Sequence, residues 1–304
     1  MSRVLVSLVL LALASSPLLA AHEISLVLWN VETLREGRFL PEQIRAKLKN
    51  DAKVLKALDA DILGLSEVES PALLDKLIRR KLHKLGYIQV AVGDADTPEG
   101  FDVALVSRLP FETVLREMPK GSRGLVLGRF EDTAGIFYVL VVHGEEGATP
   151  DHQAALAKRL RTIVFDEIPS REGQDTPVIL LGDLEFTPQA PAFQALISAG
   201  FIDTMSRLAP DIRWTHAFTD TTSKPHLVAF DHVLITPALA RGKTRHWVEG
   251  SSRARRLTFM RRTRKISGQK ISWPIDDRGR DLGFSDHFPI MARLWVVDPV
   301  PTGE

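Results

Sequence analysis

Six short segments of this chain join an apolar run to groups that can move protons or hold a cation. Trp29 leads to Asn30 and Glu32, Leu65 to Ser66-Glu67, Val142 to His143, and Leu181 to Gly182-Asp183-Leu184-Glu185. Asp231-His232 sits inside a fifth apolar run, and Asp286-His287 stands just before a sixth. One acid at such an edge is most simply a helix cap or a turn former. An apolar sheet does not require acids and histidines at this many edges, so the set reads as one site. Carboxylates and imidazoles together suit general acid–base chemistry and the binding of a divalent cation. The chain has no cysteine, which excludes disulfides, thiolate metal sites and a thiol nucleophile.

The elements that must carry these groups alternate along the chain. Residues 24–29, 61–65, 101–106, 136–142, 178–181, 228–235 and 290–296 are apolar runs of strand length. Residues 40–58, 71–85, 152–168 and 191–199 place apolar side chains at helical spacing. Several strands follow one another with short gaps, which predicts a mixed sheet covered by helices. There is no repeat and no low-complexity linker. Residues 93–100, 144–151 and 203–227 carry no readable signature.

The 304 residues are 44% hydrophobic and 25% charged, with a formal net charge of +1. Nothing in that balance selects nucleic acid or membrane. At the N-terminus, Arg3 precedes an uncharged apolar run from Val4 to Ala14, then Ser15-Ser16-Pro17 and Leu18-Leu19-Ala20-Ala21. This is the pattern of a secretory signal peptide, and it is too short to span a bilayer comfortably. Residues 1–21 are therefore expected to be removed, with cleavage after Ala20 or Ala21. Residues 22–304 are expected to form a single domain, secreted or periplasmic, monomeric and not inserted in a membrane.

The order of the segments resembles the endonuclease/exonuclease/phosphatase superfamily. LWNVETL (28–34), DADILGLSEVE (59–69), FDVALVSRLPF (101–111), VVHG (141–144), VILLGDLEFTP (178–188), FDHVLITP (230–237) and GFSDHFPIMARL (283–294) carry the likeness. The resemblance implies an α/β fold, a four-layer sandwich of two mixed β-sheets face to face with helices on the outside. It implies a metal position at Glu67, Asn30, Glu32 and Asp286, filled by Mg²⁺ or by Mn²⁺ or Ca²⁺. By the same likeness, Asp183 orients or deprotonates water, His287 contacts the scissile phosphate, Asp231 holds the His287 ring, and His143 contacts phosphate or assists the leaving group. Glu185 departs from the family pattern, which has asparagine there. An ionised carboxylate cannot donate a hydrogen bond to phosphate and would repel it. Glu185 is thus protonated, or a metal ligand, or the mark of a lost activity.

From Ser251 to Lys270 the chain carries eight basic residues and no acid. Arg253, Arg255, Arg256, Arg261 and Arg262 are the candidates for holding a polyanion beside the cleft; a solvated loop is the plainer alternative. The tryptophans of this region, Trp214, Trp247 and Trp273, are read as core packing. The expected function is a divalent-metal-dependent phosphoesterase that hydrolyses phosphodiester bonds, nuclease-like, with nucleic acid as a candidate substrate. A sphingomyelinase-type or small-phosphoester hydrolase, and a non-catalytic polyanion-binding protein on the same scaffold, are the alternatives.

Overall fold

The apolar runs become strands that are buried on both faces, which is why they lack a simple polar alternation. A computed structural model describes residues 21–34, 40–93, 102–220, 224–266, 268–275 and 283–298. The expected leader lies outside the described residues up to position 20. In chain order the strands are β1 (Ala21–Leu34), β2 (Ile62–Val68), β3 (Gln89–Val92), β4 (Asp102–Ser107), β5 (Phe111–Glu117), β6 (Ser122–Asp132), β7 (Gly135–Gly144) and β8 (Val178–Asp183). They continue with β9 (Ile202–Asp203), β10 (His216–Thr219), β11 (Pro225–Val228), β12 (Asp231–Ile235), β13 (Arg245–Trp247), β14 (Arg253–Ala254), β15 (Arg261–Ile266), β16 (Gln269–Pro274) and β17 (Ile290–Val297).

Two large sheets result. The first runs β13-β17-β1-β2-β4-β3, with β14 also on β17, and the second runs β5-β6-β7-β8-β12-β9. Each is mixed, and each has one parallel pair at its centre, β1 with β2 and β7 with β8. Leu26, Leu28, Val139, Val141, Ile179, Leu181 and Val233 fill the space between the sheets. Their neighbours one residue away face outward: Val27 and Trp29 meet the helix Pro41–Leu58, while Leu140, Val142 and Leu180 meet the helices Pro150–Thr162 and Pro191–Ser198. This is the expected four-layer α/β sandwich. The sheets approach closely where Gly64 faces Leu181. A Cβ at Gly64 would lie 3.0 Å from Leu181 Cδ1.

Several element boundaries differ from the sequence reading. β1 runs on to Leu34, so Asn30 and Glu32 lie inside it rather than after it. The expected helix 71–85 breaks into an α turn, a wide π turn and a short 3₁₀ turn ending at Gly86, whose φ is 76°. The expected helix 152–168 starts earlier, at Pro150, where Thr149 caps the backbone N–H of His152, and widens into a π turn over Ile163–Glu167. Residues 228–230 do not continue β12. Val228 ends β11, which pairs with β10 as a separate ribbon built from the stretch that carried no signature. β15 and β16 form a second ribbon, and it lies beside β10. No helix of the described residues is long and apolar enough to cross a membrane.

Leu181 is fully buried between the sheets. Leu181→Ala should leave a cavity there and lower the unfolding free energy by about 2–5 kcal/mol, read from urea denaturation.

Candidate active site

Register builds the centre of the site. In the second sheet His143 of β7 stands opposite Asp183 of β8, and Asp183 stands opposite Asp231 of β12. Residues opposite one another on neighbouring strands project from the same face. That face is the one shared by Val141, Leu181 and Val233, so the row continues the inter-sheet core to the point where the apolar filling stops. Asn30 continues the Leu26-Leu28 face of β1 in the same way. Its carboxamide nitrogen donates to Asp183 Oδ2 at 2.9 Å and to Glu67 Oε1 at 3.1 Å. One amide thus ties the two sheets together across the site.

The other acids reach the site through irregular backbone. The pairing of β1 with β2 slips between Asn30 and Leu34, and that of β2 with β4 slips between Ser66 and Val68. Each slip is a bulge, a device that re-aims a side chain at a strand end. Glu32 and Glu67 sit in these slips with φ of 51° and 63°, and Glu185 follows β8 with φ of 57°. Asn30 Oδ1 accepts the Glu32 backbone N–H at 2.8 Å, which holds the first bulge. Gly144 lets the second sheet do the same. A Cβ there would lie 2.3 Å from the Leu184 carbonyl oxygen, so only glycine admits the turn that brings Glu185 back over His143.

His287 is placed by a chain of anchors. Ser285 Oγ donates to the Asn30 carbonyl at 2.7 Å and accepts the His287 N–H at 2.9 Å. Trp29 Nε1 donates to the His287 carbonyl at 3.3 Å. From behind, Asn50 donates to the Gly283 carbonyl at 2.7 Å, and Lys47 to the Phe284 carbonyl. Lys47 is fully buried and pairs with the equally buried Asp51 at 3.3 Å. The His287 ring then meets Asp231 Oδ2 through Nδ1 at 2.8 Å, a contact by which an acid can fix an imidazole's orientation.

Burial separates the protonation states. Burial and the neighbouring Asp231 push the Asp183 carboxyl up to about 7. Burial works against the Asp231 charge too, but the His287 imidazolium and its hydrogen bond hold Asp231 below the usual carboxylate range. Burial likewise opposes the charge on His287, and Asp231 and Asp183 outweigh it, holding this imidazole well above its ordinary value. His143 follows the same rule. It is wholly buried, yet Glu185 and Asp183, each 3.8 Å away, raise its pKa. Glu185 is partly buried, which favours its neutral form, but His143 and then His287 and His216 lower its pKa. Of the three readings of Glu185, the protonated one is opposed by these neighbours, because the imidazole beside it favours the charged carboxylate.

His216 was not anticipated. It lies in β10, bridges to His287 through the backbone, and stacks on the His287 ring at 4.1 Å with 11° between the planes. Its Nε2 is 3.3 Å from Asp286 Oδ2. Neither ring nitrogen of His216 has a hydrogen-bond partner. His216 falls in residues 203–227, the stretch that carried no readable signature, and the acid beside it, Asp286, is far away in sequence. Lys47 was also missed, since a lysine in an amphipathic helix reads as surface.

The basic candidates divide. Arg256 lies over Trp214 at 4.2 Å and donates to the carbonyls of Ile212 and Trp214, and burial lowers its pKa. It is a packing residue. Arg253 is exposed and donates to the Gly250 carbonyl; Arg255 is half-buried. Arg261 and Arg262 are exposed on the β15–β16 ribbon, where Arg261 donates to Ser272 Oγ. Trp214 and Trp273 are buried in the core, and Trp247 packs against the inter-sheet core while donating to Ser252 Oγ. His232, beside Asp231, faces the other way: it meets the Phe186 carbonyl and the Phe193 ring, and burial pushes its pKa down to about 4.

The sequence model of the endonuclease/exonuclease/phosphatase family matches residues 27–287. A family protein of that name from Bacteroides thetaiotaomicron superposes with a TM-score of 0.62 at 16% identity, covering 91% of this chain and 96% of its own. A mannosyl-6-phosphatase from the same organism gives 0.61 at 16% identity over 89% and 99%. Danio rerio TDP2 complexed with a single-strand DNA product gives 0.55 at 17% identity over 90% and 98%. No curated protein matches the chain significantly.

The raised Asp183 has a consequence for stability. Its folded pKa of about 7 exceeds the ordinary 3.8. The folded state therefore holds a proton that the unfolded chain releases, and stability falls as pH rises toward and through 7. Asp183→Asn should raise Tm by roughly 2–5 °C at pH 8 in EDTA, with the gain shrinking toward pH 5.

Proposed function

Because the chain belongs to the endonuclease/exonuclease/phosphatase family, we propose that it is a divalent-metal-dependent phosphoesterase that cleaves phosphodiester bonds in a nuclease-like reaction. The observation that carries this reading is the grouping at the joint end of two sheets, where Asn30 donates to Asp183 at 2.9 Å, His287 donates to Asp231 at 2.8 Å and His287 lies 3.8 Å from Asp183. Hydrolysis needs a base for water, a cation on the phosphoryl oxygens and a way to protect the leaving oxygen's charge.

Asp183 serves as the base, because its pKa of about 7 lets it accept a proton near neutrality. Asn30 orients it by donating to Oδ2. Water oxygen attacks phosphorus as Asp183 takes the proton, and the bond to the leaving oxygen breaks. His287, kept protonated by Asp231, offers Nε2 to a phosphoryl oxygen. His143, 3.8 Å from Asp183, donates the proton to the departing oxygen. Glu67, Glu32 and Asp286 would supply carboxylate oxygens to the cation, and Asn30, whose amide nitrogen faces Glu67, would stand beside them. That chemistry fits Mg²⁺, with Mn²⁺ and Ca²⁺ as other hard dications. Asn30 already touches Glu67, and Ser285 ties the Asp286 loop to Asn30. A dication there would neutralise phosphate charge.

The exposed Arg261 and Arg262 lie on the ribbon beside β10, where His216 sits, and this placement supports a polyanionic substrate. Relatives of the fold include a sugar-phosphate phosphatase and a protein seen with single-stranded DNA product. The small-phosphoester alternative therefore belongs in the test. Export is part of the proposal and is supported by the leader-like N-terminus alone.

The purified protein should hydrolyse bis-p-nitrophenyl phosphate and DNA with Mg²⁺ or Mn²⁺ and stop in EDTA. His287→Ala should lower kcat by about 10²–10⁴-fold. The rate should rise with pH along a limb set by Asp183, about 7 in the cation-free site and lower beside a dication. It should fall at alkaline pH as His287 loses its proton. Turnover of p-nitrophenyl phosphate alone would move the substrate to monoesters. No turnover of any phosphoester with any dication would overturn the proposal.

A further inference from the structure

Arg253, Arg255 and Arg293 line one cavity of about 280 Å³, together with Glu249, Ser251 and Met291. Strand register explains their meeting. β14 pairs antiparallel with β17, placing Arg253 opposite Met291, and the Arg255 N–H continues the pairing by donating to the Pro289 carbonyl at 2.7 Å. Side chains two apart on a strand share a face, and so do residues opposite one another. Arg253, Arg255, Met291 and Arg293 therefore project together. Met291 belongs to the buried cluster of Val27 and Trp29, which faces away from the second sheet. The cavity thus opens on the other side of the first sheet from Asp183 and Asp231. Pro289 is two residues from His287, at most about 7 Å along the chain, so the cavity lies near the catalytic histidine without sharing its groups.

Three guanidinium groups on one face oppose one another, and little in the cavity offsets them. Among the described residues, the half-buried Arg255 side chain has neither a hydrogen bond nor an ion pair. Arg253 gives one donor to the Gly250 carbonyl at 3.2 Å, and Arg293 lies 3.4 Å from Glu23. Glu249, the one acid lining the cavity among the described residues, is engaged by Arg207. Each guanidinium has five N–H donors, so most of these have no protein acceptor. The wall is built without a ligand. Val248 N–H donates to the Arg293 carbonyl at 2.9 Å, Ser251 N–H to the Val248 carbonyl at 3.0 Å, and Arg293 N–H to Ser251 Oγ at 3.0 Å. The turn 248–251 is thereby tied to β17.

We propose that Arg253, Arg255 and Arg293 form a pocket for one phosphate group, separate from the catalytic floor. The acids of that floor repel an anion unless a cation intervenes, whereas this pocket offers charge and donors by itself. Arginine at all three positions suits the paired oxygens of a tetrahedral oxyanion, because its planar fork presents two parallel N–H donors. The phosphate arrives either on a polyanionic chain or as free orthophosphate. Recognition is the same in both cases, since the group's oxygens are what reach the forks.

The test is binding in EDTA, where no dication bridges an anion to the floor, so it stands apart from turnover. Fluorescein-labelled octathymidylate is followed by anisotropy across a salt series, and orthophosphate by isothermal titration calorimetry. Arg255→Gln and Arg293→Gln should each weaken binding about tenfold or more. Each should also flatten the oligonucleotide salt slope by about 0.7, the value for one single-strand phosphate. Arg79→Gln removes the same charge from an exposed helical position and should change neither. Arg255→Lys keeps the charge without the fork; it should bind more weakly at an unchanged salt slope, and it replaces Arg255→Gln if that variant fails to fold by circular dichroism. Orthophosphate bound at one per chain and lost in Arg255→Gln would sustain the pocket with free phosphate as a sufficient ligand. Binding of octathymidylate alone, lost in the same variants, would sustain it with the phosphate carried on a chain. Parent-like affinity in the folded variants, an equal loss in Arg79→Gln, or no binding of either probe by the native chain would each overturn the proposal. Binding here in a protein inactive on every phosphoester would sustain the pocket while defeating the catalytic reading.

Discussion

Two carboxylates face each other across β8 and β12, both out of water. Like charges in that position cannot both persist without cations between them. The arrangement resolves the conflict unequally. His287 sits on the Asp231 side at 2.8 Å and keeps that acid charged, while Asp183 is left at 3.8 Å from the same ring and rises to about 7. The difference of one ångström in placement separates a positioning acid from a base. Everything that fixes His287, from Ser285 and Trp29 back to the buried Lys47–Asp51 pair, therefore fixes the protonation of Asp183 as well.

The backbone around this pair is held under strain. Glu32, Glu67 and Glu185 all have left-handed φ, a region glutamate seldom occupies and one that costs about 1–3 kcal/mol per residue. The only other such residue among those described is Asp59, which ends the helix Pro41–Leu58. Strain concentrated on three acids at one strand-end rim has a simple physical meaning. A regular strand would send alternate side chains to opposite faces, into the helix layer or the core. The slips and the turn after β8 break that alternation, and Glu67 comes within 3.1 Å of the Asn30 amide and Glu185 within 3.8 Å of His143.

Much of this was legible in the residues. Apolar runs located the central strands because those strands are buried on both faces, and acids at their ends stood out against that background. The acids that a regular register delivers, Asp183 and Asp231, are brought together with His143 and His287. What could not be read was geometry that depends on distant partners. His216 reaches the site only because β10 crosses to meet His287. Lys47 is buried only because the chain near Phe284 returns to cover it. Arg256 looked like its basic neighbours, yet Trp214 and two carbonyls claim it. Register slips leave no mark in composition, so the positions of Glu32 and Glu67 could be named without their orientation.

The charge pattern also divides the labour of binding. Among the described residues five acids, Glu67, Asp183, Glu185, Asp231 and Asp286, meet at the site with three imidazoles, and no lysine or arginine is among the contacts that define it. Such a floor repels an anionic substrate and attracts dications. The mobile positive charge of guanidinium and ammonium groups is instead placed outside, on the β15–β16 ribbon, where Lys265 stands directly opposite Lys270. Like charges opposite one another weaken a ribbon. Their retention there, next to the strand that carries His216, is coherent if the anion is drawn to the rim by the ribbon and its phosphate is accepted at the floor only through a cation that the acids already hold.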